Sequence, residues 1–429
     1  MKLSRIFFAL VFGLLLAFTN TANAGGGNEG EGVDVEGIAF HHIADANVYN
    51  WNPWITMPLP CFLYNKDTGK WSTFLSSKFH FVGHHGDGSE IVKGYVLNAG
   101  SVMKIKNPTP EMMEGHMSIA GDHGHDSHGG HAHHLFSSEL KTVDGKEKEV
   151  SYFEKDGQKF YLEDKTAWDF GVFGGEFTSF YDFSITKNVF SMFLVCLFMI
   201  LVFLRITKMY KTNEGKAPSG VQGFFEPMIV FIQDEVAKPF LGKKWKQFLP
   251  FLLTIFFFIL GLNLFGQVPF LGGSNVSGSL SVTLVLAVAA FLVVNISGNA
   301  HYWGHIVWMP GVPAWLKIAI LTPVEIIGVF IKPITLMLRL FANITAGHMV
   351  MIIFVSLIFI ARDAAGDGIA WLTSVGSIAL TMFMMAIELL VAFIQAFVFT
   401  ILTAAYLNAS TEESHDHDHS DSHEHAAAH

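Results

Sequence analysis

Apolar and polar positions divide this chain into two parts with different patterns. After about residue 186 charges are sparse and apolar residues form continuous runs, which are typical of transmembrane helices. The runs cover 188–204, 248–265, 280–294, 318–360 and 369–407. This pattern predicts an all-α membrane fold with five transmembrane helices.

The last two runs are longer than a bilayer requires. At about 1.5 Å per residue, each would exceed a hydrocarbon core of about 30 Å if it were fully helical and perpendicular to the membrane. We therefore predict a long, tilted C-terminal hairpin, with strong tilt or kinks at Pro323 and Pro333. The polar stretch 362–368 separates the two arms, and Asp367 and Gly368 are predicted to supply the turn.

The chain begins like a secreted protein. Lys2 and Arg5 precede an apolar run that is too short to span a bilayer, and the small residues Ala22 and Ala24 follow it. This order predicts a signal peptide at 1–24. The alternative interpretation is an uncleaved first membrane helix, and in both cases the next segment begins outside the cytoplasm.

Between residues 25 and 183 apolar and polar positions alternate over short distances, which predicts a small β-rich extracytoplasmic domain. One hairpin is predicted from the runs 151–154 and 159–162, on either side of Lys155-Asp156-Gly157. A second is predicted from 61–64 and 71–81, on either side of a turn at 65–69.

Basic residues set the predicted orientation of the membrane domain, 184–409. They lie between the first two spans, at Arg205, Lys208, Lys211, Lys216, Lys243, Lys244 and Lys246. By the positive-inside rule this loop is cytoplasmic. Five crossings then leave 301–317 as a cytoplasmic loop and the His/Asp-rich tail, 410–429, in the cytoplasm. The segment 225–238 mixes apolar and acidic residues, which predicts a helix lying at the interface.

Composition narrows the function classes. Of the 429 residues 51% are hydrophobic and only 15% are charged, which excludes most soluble and disordered classes. The formal net charge of −10 offers no basic excess for nucleic acid. Cys61 and Cys196 lie in regions of different polarity and predict no disulfide framework. The chain has no Gly-rich loop ending in Gly-Lys-Ser/Thr, so no nucleotide site is expected, and no cofactor is implied.

Charged residues inside the C-terminal hairpin are the main candidates for function. An ionised side chain at the centre of a membrane helix costs roughly 2.5–3.5 kcal/mol, so such residues normally face a cavity or a partner. Glu325, Lys332 and Arg339 are spaced by seven, which puts them on one face of the first arm. On the second arm a similar polar stripe is formed by Glu388, Gln395 and Tyr406.

The register of the hairpin predicts which of these residues face each other. If the chain turns at 367–368, Arg339 lies opposite Gln395, and His348 lies opposite Glu388. The second pair joins an imidazole and a carboxylate, which can pass protons between them. The alternative is a structural polar clamp between two helices. His348 is about half a turn around the helix from Arg339, so the two pairs can face different cavities.

Two stretches of this hairpin resemble a known family. Residues 338–348, with Arg339, Asn343 and His348, are similar to the signature of subunit a of F-type ATP synthases, and 395–407 are similar to its last helix. The resemblance extends back to about residue 183. It implies a non-catalytic, ion-translocating subunit in which Arg339 is the essential stator arginine facing the ring of c subunits.

The resemblance also implies the other site residues and the partners. Asn343, Gln395 and Tyr406 belong to the proton path, His348 and Glu388 match an outer pair that some members carry in reverse order, and Glu325 and Lys332 are candidates for the inner path. The implied partners are the c ring, the b subunits of the peripheral stalk, protons and the lipid of a bacterial inner membrane. The choice between proton and sodium rests mainly with the ring and stays open here.

Two features depart from the family pattern. Position 337, usually small, is Met337, for which we expect a fit against the c ring that is either looser or differently packed. The segment 25–183 resembles the family only at 40–43 and otherwise looks like an insertion.

Histidines outside the membrane domain suggest a different function. They lie in the tail and in the tract 121–134, at His123, His125, His128, His131, His133 and His134. Such tracts can bind Zn, Cu or Ni weakly, or they can be solvated polymer. The alternative function is therefore a transition-metal transporter. That class needs ligands within the helices, and His348 is the only histidine well inside a predicted span.

Overall fold

The computed structural model describes residues 45–411 except 53–54, 83–86, 109–111, 118–134, 144–145, 156–157, 167–177, 213–214, 216, 268–274, 308–314 and 316–320. The predicted signal peptide, the histidine tract 121–134 and the chain after residue 411 lie outside the described residues.

The first part of the described chain is β-rich. Its strands are β1 Val48–Asn52, β2 Ile55–Pro58, β3 Pro60–Asn65, β4 Lys70–Leu75, β5 Phe81–Val82, β6 Asp87–Gly88, β7 Glu90–Val92, β8 Tyr95–Asn98, β9 Ser101–Ile105, β10 Glu114–His116, β11 Ser137–Val143, β12 Lys146–Lys155, β13 Gln158–Glu163 and β14 Phe180–Asp182. They form a seven-stranded sheet in the order β10-β7-β8-β9-β13-β12-β11, a three-stranded sheet in the order β14-β3-β4, and the two pairs β1-β2 and β5-β6.

Both predicted hairpins are present. β12 pairs antiparallel with β13, with Lys155 opposite Gln158, and β3 pairs antiparallel with β4, with Asn65 opposite Lys70. The second hairpin is shorter than predicted, because β4 ends at Leu75 and a 3-10 turn, Ser76–Phe79, follows it. Phe81 therefore belongs to a separate strand that pairs with β6.

The β-rich part is joined firmly to the first helix. The backbone N–H of Lys187 donates to the carbonyl of Ala46 at 2.7 Å, and the ring of Tyr49 meets that of Phe190 edge to face at 5.2 Å. These contacts tie the start of the described chain to the residues that begin the helical part. The two parts therefore meet through a packed junction.

The second part is helical. Its helices are α1 Lys187–Thr212, α2 Val221–Phe231, a π-helical segment Ile232–Ala237, α3 Lys238–Leu241, α4 Trp245–Gln267, α5 Leu280–Ile296, α6 Ala300–Val307, α7 Thr322–Ala365 and α8 Asp367–Thr411. Four helical segments among the described residues are long and apolar enough to cross a membrane: Lys187–Thr212, Val221–Gln267, Thr322–Ala365 and Asp367–Thr411. α5 is apolar but has 17 residues. The fold is thus a helical membrane region with several apolar helices behind a β-rich region.

Two predicted segments differ from the structure. Residues 301–317 were expected to form a loop, but Ala300–Val307 is a helix that packs on α7 and α8. The segment 225–238 continues as helix toward α4, and its residues Ile232 and Val236 are fully buried against the helical core. Packing against other helices, which periodicity alone does not reveal, accounts for both differences.

A single residue connects the two long C-terminal helices. α7 ends at Ala365 and α8 begins at Asp367, so only Gly366 separates them, and its φ of 81° suits a residue without a side chain. The predicted turn residues Asp367 and Gly368 are instead the first residues of α8. Arg362 and Asp367 form an ion pair across the turn at 3.0 Å. Contacts further along, such as Ser377 to the carbonyl of Phe354, show that the helices run antiparallel.

Small residues let the helices of the core approach closely. Ala287, Ala290, Ala392, Ala396 and Ala404 are all buried. Two side-chain amides of α4 then reach the backbone of α8: Asn263 donates to the carbonyl of Ala392 at 3.2 Å, and Gln267 to that of Glu388 at 2.9 Å. Such interhelical hydrogen bonds contribute about 0.6 kcal/mol each on average. They fix the rotation of α8 about its own axis, which determines where its polar side chains point.

Candidate functional site

The structure brings His348 of α7 next to Glu388 of α8. The distance from His348 Nε2 to Glu388 Oε1 is 3.6 Å, and the carboxylate side chain is only 3% exposed. The antiparallel register of the two helices therefore has the imidazole and carboxyl facing each other, as predicted from the turn. This distance is longer than a hydrogen bond, so the two side chains are adjacent but no hydrogen bond between them fixes their positions.

The carboxyl group of Glu388 is buried and accepts no hydrogen bond from the described residues. Neither of its oxygens has a hydrogen-bond partner within the part of the chain that the structure describes. Its backbone is held by Gln267, and Gly347 lies against it so closely that an added Cβ would be 3.1 Å from Oε1. A buried acid that is positioned by its backbone, and whose oxygens carry no structural hydrogen bond, is suited to exchanging protons.

A lysine that the sequence analysis did not single out lies near this pair. Lys187, the first residue of α1, is within electrostatic range of His348. Asp45 is nearby, because its Oδ1 accepts a hydrogen bond from the backbone N–H of Asn188 at 3.1 Å. The one sequence signal was that Lys187 is the charged residue directly before the first apolar run, but nothing in the sequence linked it to a residue 161 positions away.

Arg339 is placed differently from the acid and imidazole. It is partly buried on α7, and it has no hydrogen bond or ion pair with any residue that the structure describes. Gln395, predicted to lie opposite, is buried on α8, but no hydrogen bond joins the two. Around Arg339 the outward face of α7 carries Asn343 and the small Ala342 and Ala346, all exposed. The guanidinium thus stands beside an open helix face.

Met337 does not belong to that face. Its side chain is 1% exposed and packs in the helical core. The looser fit against the c ring is therefore wrong for this position, because Met337 points into the subunit, and the alternative of different packing stays a prediction. A position two residues before Arg339 lies about 200° around the helix from it, which is why the two side chains point to opposite sides.

A second polar group lies at the other end of the helix pair. Lys332 Nζ lies 5.3 Å from the centre of the Tyr406 ring, a cation–π contact between α7 and α8. Both residues line a cleft together with Asn295 and Tyr302. Glu325 is within electrostatic range of Tyr302. Tyr302 is not evident as a site residue from the sequence, because α6 is expected to be a loop, and neither is Asn295, which follows the apolar run of α5.

The residues that the structure describes do not form a metal-binding site. No group of three or more His, Cys, Asp or Glu side chains is arranged to hold a metal ion in the described ranges. The candidate ligands His123, His125, His128, His131, His133 and His134 lie outside them.

Comparisons with known proteins agree with the helical part of the site. The family model described as ATP synthase A chain matches residues 189–408, and a domain of unknown function (DUF8433) matches residues 38–126. The chain is similar to ATP synthase subunit a of Chloroherpeton thalassium, with 36% identity over 58% of this chain and 72% of that protein. It is also similar to ATP synthase subunit a 2 of Prosthecochloris aestuarii, with 39% identity over 55% and 72%. With ATP synthase subunit a of Myxococcus xanthus the identity is 35% over 55% and 76%.

Proposed function

Because the chain belongs to the ATP synthase A chain family and is its proton-channel stator subunit, we propose that its helix pair α7–α8 forms two offset half-channels to the c-ring carboxylates. The observation that carries this proposal is the buried, adjacent pair His348 and Glu388. The comparisons give the metal-transporter alternative no support.

The outer half-channel passes His348 and Glu388. A proton from outside is taken up by this pair, where an imidazole and a carboxyl without a structural hydrogen bond are both able to accept and release it. It then neutralises a carboxylate of the c ring. Lys187 and Asp45 lie at the outer end of this route.

Arg339 separates the two half-channels. Its guanidinium stays charged at any accessible pH, so it cannot relay a proton. It favours the ionised form of a c-ring carboxylate that passes it, which makes that carboxylate release its proton on the inner side. The absence of an ion partner for Arg339 among the described residues leaves its charge available to the ring. Asn343, one turn further on the same exposed face, and the buried Gln395 line this crossing point.

The inner half-channel leads past Lys332, Glu325 and Tyr406. Lys332 and Tyr406 line the cleft between α5, α6, α7 and α8, which is polar at Asn295 and Tyr302, and Glu325 is within electrostatic range of Tyr302. Each proton that crosses releases about 2.3 kcal/mol per 100 mV of membrane potential. Several protons must therefore pass for each ATP that is made elsewhere in the complex.

The c ring binds the face of α7 that carries Arg339, Ala342, Asn343 and Ala346. Small side chains permit the close approach of a passing helix, and a partly buried cation needs an acidic partner there. The b subunits are the second partner. The subunit lies in a bacterial inner membrane, crosses it five times with α7–α8 as a tilted hairpin, exposes the β-rich part to the periplasm after a signal peptide, and keeps its tail in the cytoplasm.

Gly347→Ala tests the outer half-channel. The new Cβ would lie 3.1 Å from Glu388 Oε1 and 3.2 Å from its Cδ, so the carboxyl group must shift. We expect passive proton conduction and ATP synthesis to fall several-fold. Gly328→Ala is the matched control, because it lies on the same helix, has nothing within 4 Å and gains the same helix propensity. Equal rates for the two variants in reconstituted vesicles would contradict the assigned route.

The histidine tracts are expected to be accessory. Replacing the six histidines of 121–134 by Ser, or deleting the chain after Thr411, which is the last residue of α8, should leave proton pumping within about twofold, because these low-complexity segments lie off the route. The measurement is ATP-driven acidification of vesicles. A loss comparable to that of an Arg339 variant, or tight stoichiometric zinc binding by the purified protein, would give the tracts a primary role.

A further inference from the structure

The outward side of the three-stranded sheet is unusually apolar. Antiparallel pairing puts Tyr181 opposite Tyr64, and Tyr64 opposite Trp71, so these three side chains form one row. Phe183, Phe62 and Thr73 form the next row, followed by Pro60 and Leu75. We name the seven residues other than Thr73 the aromatic face. Ring centres within it are 5.1 Å apart for Tyr64 and Trp71 and 5.4 Å apart for Trp71 and Phe183.

Much of the aromatic face is exposed, although the sheet already has a buried side. Cys61, Leu63, Phe74 and Phe180 alternate with it and form the core beneath. In contrast, Trp71 is 58% exposed, Leu75 50% and Phe183 46%. A sheet of this kind normally turns polar residues outward, so the apolar outward side indicates a nonaqueous surrounding.

The face continues into the first membrane helix. Phe183 and Ile185 extend the pairing of β14, since their backbone N–H groups donate to the carbonyls of Phe62 and Pro60 at 2.9 and 3.2 Å. Phe183 precedes Lys187, the start of α1, by four residues, which places it within about 14 Å of that point. The outward residues of α1 are equally exposed and apolar, for example Phe193 at 65%.

Side chains along the face follow the order of layers in a bilayer. Pro60 and Leu75 lie nearest to α1, the two Phe rings come next, and Tyr64, Tyr181 and Trp71 lie furthest away. Trp and Tyr prefer the level of the lipid headgroups, so this outermost row matches that layer.

We propose that the aromatic face rests on the bilayer surface and docks the β-rich part in the headgroup layer beside α1. Continuity with the outward side of α1 and the graded order of side chains favour lipid as the occupant. The docking does not depend on the proton route, and it holds whichever side of the membrane carries the β-rich part. It would keep the junction of Asp45 and Lys187 at a constant height above the membrane.

Spin labels on the intact complex test this docking. Cys196 is replaced by Ala, whereas Cys61 can stay, because burial raises the pKa of its thiol to about 12 and keeps it unreactive. A nitroxide is then attached through Thr73→Cys or Leu75→Cys, both exposed on the outward side, or through Gln158→Cys in the other sheet as the control. The complex is reconstituted in vesicles of phosphatidylcholine and phosphatidylglycerol. Collision rates with dissolved oxygen and with a water-soluble nickel chelate are measured.

Lipid docking predicts a several-fold higher ratio of oxygen to nickel collisions at positions 73 and 75 than at 158, and a higher ratio at 75 than at 73. Ready access of nickel to both labels would mean that the face is open to water and would overturn the proposal. Protection from both reagents would mean that another subunit covers the face, which overturns it as well. ATP synthesis equal to that of the unlabelled complex shows that each labelled protein is folded.

Discussion

Arg339→Ala is expected to abolish ATP synthesis driven by a proton gradient while leaving the subunit folded in the membrane. Arg339 is partly buried and makes no hydrogen bond or ion pair with the residues that the structure describes, so its removal breaks no internal contact. What is lost is the charge that separates the half-channels. The measurement is ATP synthesis by vesicles energised with an artificial gradient, together with the amount of subunit recovered in the assembled complex.

Arg339→Lys should also fail, because a compact ammonium that can lose its proton does not replace a planar, permanently charged group. Arg362→Ala is the matched control: it removes the same side chain from the same helix, at an exposed position where the ion pair with Asp367 is worth little. Full synthesis by the Lys variant, or an equal loss with Arg362→Ala, would exclude the stator role of Arg339.

The exchange of His348 and Glu388 has the second largest expected effect. Singly, His348→Glu puts two acids together and Glu388→His puts two imidazoles together, so we expect each to lower proton conduction at least about tenfold, as for loss of a proton-transfer group. The double exchange restores one acid and one imidazole at two positions whose present side chains lie 3.6 Å apart, and it should recover a large part of the rate. Passive proton flux and ATP synthesis are measured for all four proteins.

Recovery in the double exchange would be a nonadditive effect, with a coupling of about 0.5–3 kcal/mol for side chains in contact. A structural clamp would show the coupling in thermal stability but not in proton flux. The stability of each variant is therefore measured alongside its flux. Additive losses of flux, or a double exchange slower than both single ones, would show that the two side chains do not act together.

Much of the site follows from local pattern. The apolar runs predict the membrane helices, because lipid leaves few other places for uncharged segments of this length. The seven-residue spacing of Glu325, Lys332 and Arg339 predicts a shared face, and the short polar break near 367 predicts that His348 meets Glu388. When two antiparallel helices are joined by a one-residue turn, the distance of a residue from the turn determines which residue of the other helix lies opposite it. The alternation at 151–162 likewise predicts the β12–β13 hairpin.

Other parts depend on the rotation of each helix about its own axis, which is decided by contacts between distant segments. Periodicity could not tell that Arg339 and Gln395 make no hydrogen bond to each other, or that Asn263 holds α8 through a carbonyl 129 residues away. The approach of Lys187 to His348 has the same origin. Most helices and strands, and the polar residues that share a level, can be predicted from the sequence, because they depend on neighbours a few residues apart. The side chains that point inward, the pairs that meet across helices and the exposed side of a sheet become visible in the folded molecule alone, because they depend on how whole elements pack.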